Sequence, residues 1–279
     1  RGQGPGEYTD INAFAVNASL HQLVIYDNMK QSLMFYSTED GRFVKSEKFN
    51  KPTPAEIAYW GGYFFYHNRL HRNYQDDISL HYYLLASKDG ITIGKRYFKH
   101  ENNKEDYPFS PSGHNLYDNN SKLYYCRDFD NIVYQIHEDS VVPRFRINLP
   151  NPLPASMIEE RPNEMSLLRS GYSLGITDIY EYGGLLFFRF VKDGYIWSCL
   201  YNVEESKQVY CAKRIKFLDS SLIDTIDGIY KDCFYSILTP EYLDYAFSEN
   251  PLEDYPDLFK TYDVEGDNPV IAFYRAVVR

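Results

Sequence analysis

The stretch ITDIYEYGGLLFFRFVKDGYIWSCLY, residues 176–201, alternates apolar and aromatic runs with two-residue turns. Ile176–Tyr182, Leu185–Val191 and Tyr195–Tyr201 carry the β-branched and aromatic residues that suit a pleated surface. Gly183-Gly184 and Asp193-Gly194 between them are the pairs that fold one strand back on the next, because both central residues of such a turn need positive φ. After the turn Asn202–Lys207, Gln208–Phe217 reads as a fourth strand. The stretch is therefore a four-stranded antiparallel meander.

Working outward, the same grammar returns on both sides. Asp10–Val16, Leu23–Tyr26, Ser32–Tyr36 and Arg42–Phe49 form a first unit, with Glu39-Asp40-Gly41 as a hairpin turn. Ile57–Trp60, Tyr63–His67, His81–Ala86 and Ile91–Phe98 form a second, turning at Gly61-Gly62 and Asp89-Gly90. Asn115–Tyr117, Leu123–Cys126, Ile132–Ile136 and Val141–Ile147 form a third. A fifth begins near Ile226, continues through Cys233–Leu238 and ends on Pro269–Val278, one strand short. Pro240–Tyr262 interrupts it with apolar residues at helical spacings, among them Leu243, Ala246 and Phe247. Pro150–Gly171, rich in proline, reads as an excursion with one or two short helical turns. The units span roughly 8–50, 55–100, 111–149, 172–217 and 222–279 of a single domain, 1–279.

A four-stranded meander with two apolar faces cannot bury both alone, and stacking such sheets face to face around an axis buries each against its neighbours. A repeat of ~40–50 residues with four strands is the period of a propeller. The expected fold is all-β: a β-propeller of four-stranded antiparallel blades, five of them visible, with a short helical insertion in the last.

Ahead of the first strand stands Arg1-Gly2-Gln3-Gly4-Pro5-Gly6-Glu7-Tyr8. Three glycines and a proline exclude a helix or a central strand. The stretch superficially resembles a phosphate-binding loop, but it precedes a strand, not a helix N-terminus. Gly2, Gly4, Pro5, Gly6, Glu7 and Tyr8 are read as a structural loop, with Glu7 and Tyr8 tying it to its neighbours.

Composition narrows the function classes. The net charge is −10, against the concentrated Lys and Arg that a phosphate backbone or anionic membrane surface requires, so no nucleic-acid partner is expected. No apolar run approaches the ~20 residues of a spanning helix. Aromatic residues make up 17% of the chain, with 28 Tyr and 18 Phe against 2 Trp, which suits half-buried strands and, secondarily, sugar stacking. The four cysteines, Cys126, Cys199, Cys211 and Cys233, have no metal-type spacing. Cys199 and Cys211 flank the Asn202–Lys207 turn, but a one-residue register offset separates them, so buried free thiols are expected.

The chain contains no GxSxG elbow, Walker loop, HExxH or kinase signature. No catalytic residue, metal or cofactor is assigned. His67 and His71, with Arg69 and Arg72, sit where a strand runs into the polar segment 68–77. That segment reads as a solvated loop and as the first place to look for ligand contacts, since long loops on a rigid scaffold carry function. Arg127 and Arg189 lie inside apolar strands, where an arginine pairs with a carboxylate, faces solvent or lines a pocket. The turns Asp118-Asn119-Asn120 and Asp128-Phe129-Asp130-Asn131 offer oxygens but match no calcium loop. Glu56, Asp178 and Glu181 are carboxylates near first strands, and sequence cannot bring any two of them together as glycosidic chemistry requires.

RGQGPGEY, the GRFV of Gly41–Val44, NIVYQIHEDSVVPRFRINL at Asn131–Leu149 and DNPVIAFYR at Asp267–Arg275 together resemble the six-bladed β-propeller proteins, often lipoproteins, of Gram-negative gut anaerobes, related to NHL-repeat propellers. The resemblance covers essentially the whole chain. It implies six blades, a lipoprotein signal and a further blade upstream of RGQGPGEY, an extracytoplasmic place in the periplasm or at the outer membrane, and no defined reaction. Two functional readings follow. One is a non-enzymatic binding or scaffold protein presenting a ring face or loops to a protein or glycan. The alternative is a carbohydrate-active hydrolase or lyase using acidic or His/Tyr groups near the axis, an analogy of fold only.

Overall fold

A computed structural model describes residues 2, 4, 6–49, 53–68, 78–99, 113–119, 121–160, 162–213, 226–249, 262–263, 265–266 and 268–275. Five sheets follow one another along the chain. The first is β1 (Ile11–Asn17), β2 (Gln22–Asp27), β3 (Ser32–Ser37) and β4 (Phe43–Lys48). The second is β5 (Pro54–Trp60), β6 (Tyr63–Asn68), β7 (Tyr82–Ser87) and β8 (Ile93–Lys99). The third is β9 (Leu116–Asp118), β10 (Leu123–Cys126), β11 (Ile132–Ile136) and β12 (Val141–Arg146). Two short helices, α1 (Ala155–Glu159) and α2 (Glu164–Leu168), fill the proline-rich excursion. The fourth sheet is β13 (Ser173–Tyr182), β14 (Leu185–Lys192), β15 (Tyr195–Asn202) and β16 (Lys207–Ala212). The fifth has β17 (Gly228–Tyr230) and β18 (Cys233–Leu238), then helix α3 (Pro240–Glu249), then β19 (Val270–Tyr274).

Every sheet is an antiparallel meander in strand order, so the fold class is the all-β succession of a five-blade propeller arrangement. The turns show why. Gly61-Gly62, Gly183-Gly184 and Asp193-Gly194 all have φ between +54° and +80° at both positions, the mirror-image turn whose twist matches that of its strands. Asp89 builds the β7–β8 turn by accepting from the backbone N–H of Ile91 and Thr92 and from the hydroxyls of Ser87 and Thr92, all within 2.7–2.8 Å.

The chain divides into two compact units, residues 1–116, 123–128 and 132–146 in one, and 117–122, 129–131 and 147–279 in the other. Within the first, Val24, Leu33, Phe35, Phe64, Tyr66 and Leu85 belong to one buried cluster joining the first two sheets. Phe65, Leu84, Leu123, Tyr125 and Ile136 belong to a second. Within the other unit, Leu238, Leu243 and Ala246 form a small core where α3 packs against the fifth sheet.

The glycine-rich opening is a tied loop. Gly2 N–H donates to the Tyr8 carbonyl at 2.9 Å, and Gly4 N–H donates to the Glu7 carboxylate at 2.7 Å. The Tyr36 hydroxyl donates to Gly6 O at 3.2 Å, and the Lys30 ammonium donates to Glu7 O. Tyr8 is half-buried; Pro5 lies outside the described residues. Behind the loop, fully buried Asp27 accepts from Thr9 N–H at 2.6 Å, from the Thr9 hydroxyl at 2.8 Å and from Lys30 N–H at 3.0 Å.

The cysteine expectation is corrected. Cys199 and Cys211 are joined by a disulfide, while Cys126 and Cys233 are free. Near the β15–β16 turn the register pairs Tyr201 with Gln208, and continued unbroken it would set Cys199 against Tyr210. A bulge between Leu200 and Tyr201 absorbs one residue, and Cys199 then faces Cys211 directly.

Candidate functional site

His67 does not enter a solvated loop. It ends β6 at 2% exposure, its Nδ1 3.2 Å from the Tyr125 hydroxyl. Burial first, and the Asp128 charge second, push that hydroxyl well above the usual tyrosine range, so it stays protonated. Arg69, His71 and Arg72 lie outside the described residues. Arg127 is half-buried with its guanidinium over the Phe98 ring, 5.4 Å from the centroid. Arg189 on β14 meets Asp178 on β13, Nε and Nη2 each 2.8 Å from Oδ2. The Thr177 hydroxyl donates to the same carboxylate, and Asp178 holds φ +52° at a bulge in β13. The arginine in the apolar strand is thus a paired structural arginine, on the pattern expected for a buried charge.

The other carboxylates are likewise committed. Glu56 accepts from the backbone N–H of Asn115 and Leu116 at 2.6 and 3.0 Å. Glu181 accepts from the Lys122 ammonium at 2.8 Å and is nearly buried. Among the described residues no group of three or more His, Cys, Asp or Glu is placed to hold a metal ion. No described helix is long and apolar enough to cross a membrane.

A recess of about 260 Å³ lies between the fourth and fifth sheets. Tyr182, Gly183 and Leu185, from the β13–β14 hairpin, make one wall; Asp232, Phe234, Tyr274 and Arg275 make the other. Local sequence explains each wall. The two-residue Gly183-Gly184 turn projects Tyr182 outward at 37% exposure, with open space where a Gly183 side chain would begin. Across the recess, register pairs Phe234 with Tyr274, which puts both rings on one face of the fifth sheet. Tyr182 meets Phe234 edge to face, centroids 6.4 Å apart.

At the mouth, the Arg275 guanidinium pairs with the Asp232 carboxylate, both well exposed. A hydrogen bond to Cys233, and then the Asp232 charge, hold the guanidinium above its usual value. Burial pushes the Tyr274 hydroxyl up to about 12, so it stays protonated at physiological pH. Rings, an aliphatic side chain and a guanidinium–carboxylate pair form a set suited to holding a ligand through packing and hydrogen bonds.

None of these lining residues stood out in the sequence as a site. Tyr274 and Arg275 fall in the closing DNPVIAFYR motif, and Gly183 was legible only as a turn. Their meeting depends on packing between separate sheets, which carries no local signature.

A family described as a domain of unknown function, DUF4934, matches residues 1–275. Among solved structures, a candidate exported protein of Bacteroides fragilis is similar at 17% identity and a TM-score of 0.77, over 98% of this chain and 79% of that one. A member of the DUF4221 family from Bacteroides vulgatus is similar at 11% identity and a TM-score of 0.47, over 75% and 68%. No curated protein matches.

Proposed function

We propose, starting from the fact that this chain belongs to the DUF4934 family, that it is a non-enzymatic binding or scaffold protein that works outside the cytoplasm. Its ligand is a protein or a glycan, received at the recess beside the Gly183-Gly184 turn. The recess is the observation that carries the reading: three aromatic rings and an exposed Arg275–Asp232 pair offer stacking surface, donors and acceptors together.

The location is supported by the Cys199–Cys211 bond, since disulfides persist in oxidising compartments and are rare in the cytosol. The likeness to a candidate exported protein points the same way. We read the complete protein as a six-bladed, NHL-like propeller carrying a lipid anchor upstream. The Bacteroides fragilis chain, which has more residues than this one matches, is in keeping with that.

The test is a binding screen of glycans and peptides against the wild-type protein and Tyr182→Ala, with glycan turnover followed in parallel. The expected result is a ligand bound without chemical change and weakened at least about tenfold by loss of the ring. Turnover of any glycan, or a ligand held equally by the variant, overturns the reading.

A further inference from the structure

Among the described residues that line the recess, Arg275 and Asp232 carry the charge, and they meet each other. The contact is made at single atoms: Arg275 Nη2 donates to Asp232 Oδ2. The Cys233 thiol is the other described group on this pair, 3.5 Å from Asp232 Oδ1 and bonded to the guanidinium. A guanidinium carries several N–H donors and a carboxylate several acceptor sites, so most of both sets is left over. The two side chains are 70% and 50% exposed, and they present those donors and acceptors side by side at the mouth.

This pairing selects against charge. An anionic group that engaged Arg275 would have to take the guanidinium from Asp232, and would then lie against that carboxylate. A second carboxylate stands beside the turn: a side chain begun at Gly184 would lie 3.2 Å from that of Glu204. A cationic group would meet Arg275 in the same way. What satisfies both partners is a neutral group that donates and accepts at neighbouring atoms, as two adjacent hydroxyls do. Volume and shape narrow the choice further. At about 260 Å³ the recess falls below the ~300–1,000 Å³ of pockets for drug-sized ligands, so it has room for one ring and not for a chain. Tyr182, at 37% exposure, offers that ring an aromatic surface.

Resting on the reading of the recess as a binding site, we propose that its ligand is a single neutral hexopyranose ring bearing two adjacent hydroxyls, at the end or on a branch of a glycan. One hydroxyl accepts from Arg275 and its neighbour donates to Asp232, while the C–H face of the ring lies against Tyr182. Uronic acids are rejected, because their carboxylate either displaces Asp232 from its partner or is left facing it.

The probes are the methyl glycosides of glucose, galactose and mannose, their singly deoxygenated forms, and methyl glucuronide and methyl galacturonide. Binding to the wild-type protein, Tyr182→Ala, Asp232→Asn and Arg275→Ala is read by protein-observed NMR titration. At least one neutral glycoside is expected to bind and to shift the amide signals of Gly183 and Gly184. Deoxygenation at two neighbouring ring positions should weaken it at least about tenfold, as should Arg275→Ala. The uronide of the same ring should bind at least about tenfold more weakly than the neutral sugar. Asp232→Asn should weaken the neutral sugar and strengthen the uronide, an exchange that a carboxylate with a merely structural role would not produce. The deoxygenated sugars probe the same contacts in the unaltered protein, so the test stands even if a variant fails to fold. The proposal is overturned if no neutral glycoside binds, if the uronide binds as well as the neutral sugar, or if no deoxygenation matters. A uronide or a peptide that binds and is lost in Tyr182→Ala would sink this inference and leave the recess as the site. If no ligand responds to Tyr182→Ala, both readings fall.

Discussion

Asp27 is the residue whose removal reports most directly on how the glycine-rich opening is held. Its side chain is fully buried, and it accepts from two backbone N–H groups, those of Thr9 and Lys30, as well as from the Thr9 hydroxyl. Asp27→Ala leaves two backbone donors without their acceptor, at about 1–3 kcal/mol each. The donors are only part-buried and water recovers some of the loss, so about 3 kcal/mol is expected overall. Asp27→Asn keeps one acceptor oxygen and should cost about 1 kcal/mol. Burial acts to raise the carboxyl's pKa, but the hydrogen bonds from Thr9 and Lys30 outweigh it, and the net shift is downward. A folded pKa below the unfolded one gives stability that is complete above the unfolded value, about 3.9, and is lost as pH falls through the folded value. The gap between wild type and Asp27→Asn should therefore be constant from neutral pH down to about 5 and close below about 4. Urea unfolding midpoints across that range measure it, with amide exchange at Thr9 as the local readout. A loss under about 0.5 kcal/mol for Asp27→Ala, or a gap that does not close in acid, would refute the latch.

Three further outcomes are expected. Unfolded without reductant, the protein should show two titratable thiols, Cys126 and Cys233, and reduction or Cys199→Ala should lower stability by about 3 kcal/mol through the lost loop constraint, as followed by thiol titration and urea unfolding. Gly175→Ala should destabilise strongly, because φ is +102° and the added carbon would lie 2.7 Å from the Phe129 Cα; Gly183→Ala, at φ +58° in open space, should cost only about 1–2 kcal/mol, and thermal unfolding compares the two. The Asp89 carboxyl, held far below the usual carboxylate range chiefly by the Thr92 N–H, should show no protonation step near pH 4 in a carbon-detected titration.

The blades were legible because their information is local. Gly61-Gly62, Gly183-Gly184 and Asp193-Gly194 announce positive φ within two residues, and the runs between them could only be strands. Leu243, Ala246 and Phe247 announced α3 by spacing alone. The candidate site was hardly legible. His67 read as the start of a solvated loop, whereas the ring is buried against Tyr125 of another strand. Arg189 left open a partner, solvent or a pocket, and only the bulge that turns Asp178 toward it decides for the partner.

By itself, then, the chain determined an all-β fold of successive four-stranded meanders, with one strand fewer in the last sheet among the described residues, and a net charge of −10. Turn chemistry and strand periodicity are properties of neighbouring residues, and they survive without knowledge of what packs against them. The tertiary structure alone decided that Cys199 meets Cys211 and that Tyr182 and Phe234 wall a recess. Each of these turns on register or packing between segments apart in sequence. A single bulge moves a whole strand by one residue, and no short run of residues records where that shift falls.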